Sequence, residues 1–431
     1  MSLFAQRASL IDTENAFKLG PQIRKLEDAG HRVIKCNLGE PDFPLPSHVR
    51  EEIKRQLDRD NTHYTDPQGL PSLRRAIARQ VSETRGIAVD AERVVVFAGA
   101  KPPIGFCQQT YCDPGDEVIY PSPGFPIYES FTRYVGAVPR PLHLSEERGF
   151  AFGAQDLEPL LSARTKLVIL NFPSNPTGGV AARDQLEEIA ELLKRRAADG
   201  ARVYSDEVYE HIVYDGEEHR SIATLPGMAS RTIIVSGVSK SYSWTGGRIG
   251  WAVFPSSAEA QVFKNLNINY VSCLPGYNQE GAREAIESRE SAAAIEGMVA
   301  AFEKRRNWLV PALNAIPGFH CQMPRGAFYA FPNVAGACEH LGAIGAWESL
   351  GDAVRRATSP STLLQRFLLS RYQVATMDRP SFGRVGSEGR HHLRISFATG
   401  LDDLREGVAR IARAVEDRAG FEAFVREEAF S

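Results

Sequence analysis

Several protein classes are excluded by what this 431-residue chain does not contain. No run of about 18 apolar residues occurs, so no segment reads as a membrane-spanning helix. Residues 1–22 mix charged and polar side chains and lack the apolar centre of a secretory signal. Only six cysteines are present, Cys36, Cys107, Cys112, Cys273, Cys321 and Cys338, with no pairing pattern or metal-ligand spacing among them. They read as reduced, mostly core cysteines of a cytoplasmic protein. The ten histidines show no ligand spacing, and the adjacent pair His391-His392 reads as two polar residues beside a strand. A formal net charge of −3 without a long basic run argues against a nucleic-acid or membrane-surface partner. No Gly-x-Gly-x-x-Gly turn follows an apolar run, which disfavours a dinucleotide-binding dehydrogenase.

What is present is the composition of a globular protein, 43% hydrophobic and 24% charged, in a chain too long for one ordinary core. Helical patterns fall around residues 21–29 and 47–57, and Pro71 opens another that reaches about residue 81. From residue 92 apolar runs alternate with helical patterns. The runs are 94–97, 117–120, 166–170, 202–205, 232–235 and 249–254, and a helix of clear 3.6 period spans about 183–197. Such alternation predicts an α/β fold with a mainly parallel sheet and helices on both faces. The last third differs, with a long helix at 303–316, a helix near 362–370, a strand at 393–397 and a closing helix at about 401–417. It predicts a smaller α+β domain completed by the N-terminal segment, with 338–360 as a surface insertion.

The stretch from Ser236 to Pro255 places Lys240 among small hydroxylated residues, with Arg248 beyond it. A lysine that attacks a carbonyl needs a neutral amine, and a fixed arginine nearby suits a phosphate. In parallel sheets ligands gather at the carboxyl ends of strands, where Gly99, Phe125, Asn175, Asp206 and Lys240 all fall. Gly99-Ala100-Lys101 ahead of a helix offers backbone N–H groups to an anion, with Arg248 and Ser236 or Ser239 completing the site. Asp206, if buried, needs a cationic partner. Tyr209 and Asn175 supply neutral hydrogen bonds, and Phe125 supplies a stacking face. Phosphate, ring cation, ring hydroxyl and a lysine-reactive carbonyl together describe pyridoxal 5′-phosphate.

These residues carry a resemblance over nearly the whole chain. The segments Gly39-Glu40-Pro41-Asp42-Phe43, Tyr64 to Leu70, Asp113-Pro114-Gly115-Asp116-Glu117-Val118, Asn175-Pro176-Thr177-Gly178, Ser205-Asp206-Glu207-Val208-Tyr209, Ser239-Lys240 with Arg248, and Arg394-Ile395-Ser396-Phe397 resemble, in order and spacing, the class I and II aminotransferases of fold-type I. The resemblance implies a large domain with a mostly parallel seven-stranded sheet, a smaller α+β domain, and units at 1–48, 49–305 and 306–431. It implies an L-amino acid donor, aspartate/glutamate or aromatic, a 2-oxo acid acceptor, and a homodimer with shared sites. Lys240 would condense with the cofactor aldehyde and then carry a proton, while Asp206 would hold the ring nitrogen protonated. Tyr209 and Asn175 would bond the ring oxygen and Phe125 would stack on the ring. Gly99, Ala100, Ser236 or Ser239, and Arg248 would hold the phosphate, joined by Tyr64 from the other subunit. Arg394 would clamp the substrate α-carboxylate, aided by Gly39 and Asn175. Lys101 stays open between a surface lysine, a phosphate contact and a partner for a distal substrate carboxylate. A carbon–sulfur lyase of the same fold, or a non-catalytic cofactor-binding regulator, is the alternative.

The chain departs from these relatives in five places. Gly237 stands where several carry a phosphate-binding serine. Gly247 replaces a bulky aromatic and Trp244 a methionine. Pro102-Pro103 leaves fewer N–H donors at a helix start, and 377–390 lacks the usual Pro-Gly turn.

Overall fold

The apolar runs assemble into one sheet in the computed structural model, which describes residues 3–12 and 14–427. The outer ends of the expected units, at residues 1 and 431, lie outside the described residues. The sheet strands are β1 (Val94–Phe97), β2 (Glu117–Ser122), β3 (Val138–His143), β4 (Thr165–Asn171), β5 (Arg202–Asp206), β6 (Thr232–Gly237) and β7 (Gly250–Val253). Their order is β1-β7-β6-β5-β4-β2-β3. Only β7 runs antiparallel to its neighbours. Helices cover both faces, so strands such as Val94–Phe97 are buried at every position and read as unbroken apolar runs rather than alternating ones.

Pattern reading missed β3. Pro139 and Pro141 lie within its six residues, and proline cannot donate to a ladder. The strand is tolerated because it is the sheet's edge and pairs only with β2.

The long helix begins earlier than expected, spanning Arg289–Asn314, and leads into the C-terminal third. There Met377–Asp378, Leu393–Ser396 and Tyr329–Ala330 form a three-stranded antiparallel sheet. The N-terminal strand Ile34–Lys35 pairs with Val374–Ala375. Helices Pro360–Tyr372 and Leu401–Glu416 pack beside it in a core shared with Phe302, Phe328 and Phe397. The expected surface insertion at 338–360 is corrected in its first part, while 348–359 do lie at the surface. Helices Ala335–Leu341, Ala343–Glu348 and Asp352–Ala357 occupy it, and Cys338, Leu341 and Ala343 are buried in that core. Glycine, alanine and serine look loop-like by composition, but their small volumes also suit close helix packing. No helix among the described residues is long and apolar enough to cross a membrane. The six cysteines are free, and five are buried.

Candidate active site

At the end of β1 the chain turns through Gly99, whose φ of 92° favours glycine, into the helix Pro102–Tyr111. A Cβ on Gly99 would stand 2.4 Å from Nη2 of Arg248, and one on Gly250 would stand 2.4 Å from the amide nitrogen of Ala100. Two glycines therefore let the Gly99–Ala100 backbone lie between β7 and the guanidinium. Arg248 donates to the carbonyls of Thr245 (2.8 Å) and Ala98 (3.1 Å). Pro102 and Pro103 have no N–H, so the donors at this helix start are the amides of Ala100 and Lys101. With Ser239 and Arg248 on the same cavity wall, the set suits a phosphate. Gly99→Ala should weaken cofactor binding at least tenfold, because the methyl is strained at this φ and pushes Arg248 aside. Titrating the cofactor-free variant by absorbance or fluorescence checks this.

Asp206 ends β5 and is 6% exposed. It accepts a 2.6 Å hydrogen bond from the Tyr128 hydroxyl. Among the described residues no cation pairs with it, and burial pushes its carboxyl up to about 6 while the Tyr128 and Val208 hydrogen bonds oppose that rise. Asn171 holds the next loop, accepting from the Asn175 amide at 2.9 Å and donating to the Asp206 carbonyl at 3.3 Å. Tyr209 shares a 2.7 Å hydroxyl–hydroxyl hydrogen bond with Tyr329. A Cβ on Gly39 would fall 1.9 Å from the Tyr329 hydroxyl, so glycine at 39 is what admits that tyrosine.

Lys240 lies on the short turn Val238–Ser241, and its Nζ donates to the Gly39 carbonyl. Burial pulls its amine down to about 8, with Arg394 and Lys101 helping and Glu14 and Glu40 opposing. Arg394 is 5% exposed. It donates through Nη1 to Asn175 Oδ1 (2.9 Å) and through Nη2 to the Asn37 carbonyl (2.6 Å). Its guanidinium carbon lies 4.3 Å from the Tyr329 ring centre and 4.8 Å from that of Phe382, and its Nε has no partner among the described residues. Carbonyls, amide and rings fix its position without neutralising its charge.

One cavity of about 530 Å³ joins these groups, within the usual size of a small-molecule site. Gly39, Ala100, Lys101, Phe125 and Asn175 line it, as do Asp206, Tyr209, Ser239, Lys240, Arg248 and Arg394. Gly99 stands behind that wall, and Tyr64 is 92% exposed and outside it. Ser236 is corrected as a phosphate ligand. Its hydroxyl donates to Glu210 at 2.6 Å, in a buried network with Arg85, which leaves Ser239 as the serine facing the cavity. The Lys101 ammonium is ion-paired with Glu14, while its backbone stays at the helix start. Tyr128, Asn171, Tyr329 and Glu14 were not singled out from the sequence. A hydroxyl-bearing aromatic within a helix or short strand carries no local signal of its role. The Gly247 and Trp244 departures explain each other, since a Cβ at 247 would lie 2.2 Å from the Trp244 indole, which fills that space. No group of three or more metal-ligating side chains suited to an ion occurs among the described residues.

The pattern of the family "Aminotransferase class I and II" matches residues 31–411. The chain belongs to the class I and II aminotransferases. The aminotransferase is 34% identical to the probable aspartate/prephenate aminotransferase of Aquifex aeolicus, over 96% of this chain and 98% of that one. Among solved structures it resembles the aspartate aminotransferase of Rhizobium meliloti, with a TM-score of 0.85, 31% identity, and 96% and 99% of the two chains covered. It also resembles the aromatic aminotransferase of Pyrococcus horikoshii, with a TM-score of 0.80, 31% identity, and 92% and 100% covered.

The aminotransferase is an enzyme dependent on pyridoxal 5′-phosphate, and it moves an amino group from an amino acid to a 2-oxo acid. The residues present suit that cofactor. Asp206 is a buried carboxylate that no cation among the described residues ion-pairs, with Lys240 acting on it only at longer range, and a protonated ring nitrogen would complete it. The amides of Ala100 and Lys101, with Ser239 and Arg248, form a donor set for its phosphate.

Proposed function

We propose that this aminotransferase binds free L-amino acids by their α-carboxylate at Arg394 and moves the α-proton with Lys240. When bound, the cofactor supplies an aldehyde for the amine and a ring that draws electrons from the α-carbon. Asp206 would hold the ring nitrogen, Tyr209 and Asn175 the ring oxygen, and Phe125 the ring face. Ala100, Ser239 and Arg248, with Gly99 shaping the turn, would hold the phosphate. The partner subunit's Tyr64 would reach the same phosphate in a homodimer, a reading supported by the exposure of Tyr64 in the single chain. The six free cysteines support a cytoplasmic setting.

The observation that carries the reading is the buried Arg394, un-neutralised and with a free Nε, lining the same cavity as Lys240. A guanidinium held by Asn175 and the Asn37 carbonyl is already oriented for an incoming carboxylate. Lys240, with its amine near 8, is neutral often enough at pH 7 to accept a proton and is charged often enough to return one. Arg394→Ala should raise half-saturation by amino acids about 10–100-fold, the worth of one charged hydrogen-bonded contact. Simple amines lacking the carboxylate should react no worse. Single-turnover absorbance changes of the cofactor-loaded protein check both, and equal loss for amines and amino acids would overturn the role of Arg394. Ammonia and pyruvate released from one donor, without any 2-oxo acid, would establish the lyase instead.

A further inference from the structure

We infer that Glu14 is a specificity-determining residue that turns the side-chain end of the cavity away from dicarboxylic donors and toward uncharged, aromatic or apolar ones. The inference rests on the transaminase reading and names its substrate class. With Arg394, Lys240 and Arg248 given to the α-carboxylate, the proton and the phosphate, Lys101 is the cavity cation that a second substrate carboxylate would seek. Its ammonium is ion-paired with the Glu14 carboxylate, which lies on the same cavity wall. The pair adds no net charge. A dicarboxylic substrate must therefore take Lys101 from an internal carboxylate and leave that carboxylate as a like-charged neighbour.

Glu14 is held in place from several sides. Asn15 donates to Ser381 at 2.8 Å, and the Ala16 carbonyl accepts from Asn37 at 3.3 Å. The Asp12 amide donates to Ser130 at 2.8 Å, and the Ser130 hydroxyl donates back to the Asp12 carbonyl at 2.8 Å. Ala16 is buried against the core under β2 to β4. The chain on either side of Glu14 is thus anchored, at Asp12 to Ser130 of the large-sheet domain and at Asn15 to Ser381 of the C-terminal third. The Glu14 side chain itself is only 18% exposed, so the carboxylate is enclosed beside Lys101 rather than extended into solvent. Aromatic rings flank the pair. The Lys101 ammonium lies 5.5 Å from the Phe17 ring centre and 5.7 Å from that of Phe125, and both rings line the cavity. With Phe125 given to the cofactor, the Phe17 ring beside a neutralised charge favours a flat or apolar side chain over a second carboxylate.

The test uses the cofactor-loaded full chain and its E14Q variant, with L-aspartate and L-phenylalanine as donors in single-turnover half-reactions that need no acceptor. Wild type should show the larger rate per concentration with phenylalanine. E14Q should raise the aspartate-to-phenylalanine ratio at least tenfold, by freeing Lys101. The double variant E14Q/K101Q should lose that gain, which a merely structural effect of Glu14 would not produce. An unchanged or lowered ratio in E14Q, or a gain that survives removal of Lys101, would overturn the inference and leave the transaminase reading standing. Absence of any half-reaction with either donor in either protein would overturn the transaminase reading, and this inference with it.

Discussion

Lys240→Ala should lower turnover at least about 10⁴-fold while leaving cofactor binding through the phosphate and ring contacts measurable. The substitution removes both the amine that meets the cofactor aldehyde and the group that carries the α-proton. Nothing adjacent replaces it. Lys101 is engaged by Glu14, and Arg394 is held by Asn175 and the Asn37 carbonyl. Steady-state rates with donor and 2-oxo acid check the loss, and a variant retaining a tenth of wild-type activity would remove Lys240 from the reaction. The pH dependence has a defined sign. Burial brings the Lys240 amine to about 8, and only the neutral amine attacks a carbonyl. Loading of the cofactor-free chain should therefore speed up about tenfold per pH unit below 8 and level off above it. A rate still climbing steeply at pH 10 would mean the amine is not depressed.

Asp206→Asn should make the cofactor-free protein more stable and the loaded enzyme at least about 10²-fold slower. The carboxyl titrates at about 6 when folded against 3.8 as its ordinary value, so between these the folded chain holds a proton that the unfolded chain releases. Stability contributed at this site therefore rises as pH falls through 6 and is fully regained below 3.8. Above 6, keeping the bare charge costs about 3 kcal/mol. Asparagine removes that charge yet still accepts from Tyr128, so the cofactor-free variant should melt a few degrees higher at pH 7 and about equally at pH 4. Activity falls because a neutral amide cannot hold a ring-nitrogen cation. Thermal melts of both cofactor-free proteins at the two pH values, with turnover of the loaded forms, check the pair of effects. A variant that is less stable at pH 7 would show that the charge is already compensated.

The alternation of apolar runs and helices was legible because a strand buried on both faces must be apolar throughout, and helices must cover it. The convergence of Asp206, Asn175 and Lys240 was legible for a related reason. Each follows a strand of a parallel sheet, and parallel strands bring their carboxyl ends to one edge. The edge strand Val138–His143 escaped because its prolines are tolerated only where one side of the strand is unpaired, a property of its place in the sheet. Ser236 and Ser239 looked equivalent in the chain. Ser236 is still on strand β6, with its side chain on the Glu210 side, while Ser239 lies on the turn that faces the cavity.

The remaining site residues depend on contacts between distant segments. Tyr128 meets Asp206 across 78 positions, Glu14 meets Lys101 across 87, and Tyr329 meets Tyr209 across 120. No local pattern records such a meeting, because each side chain is compatible with its own helix or strand whether or not the partner arrives. Residue order and strand-end position are local properties and could be read in one dimension. Which carboxylate is left without a cation, and which cation is already neutralised, was decided only when the packed chain brought those segments together.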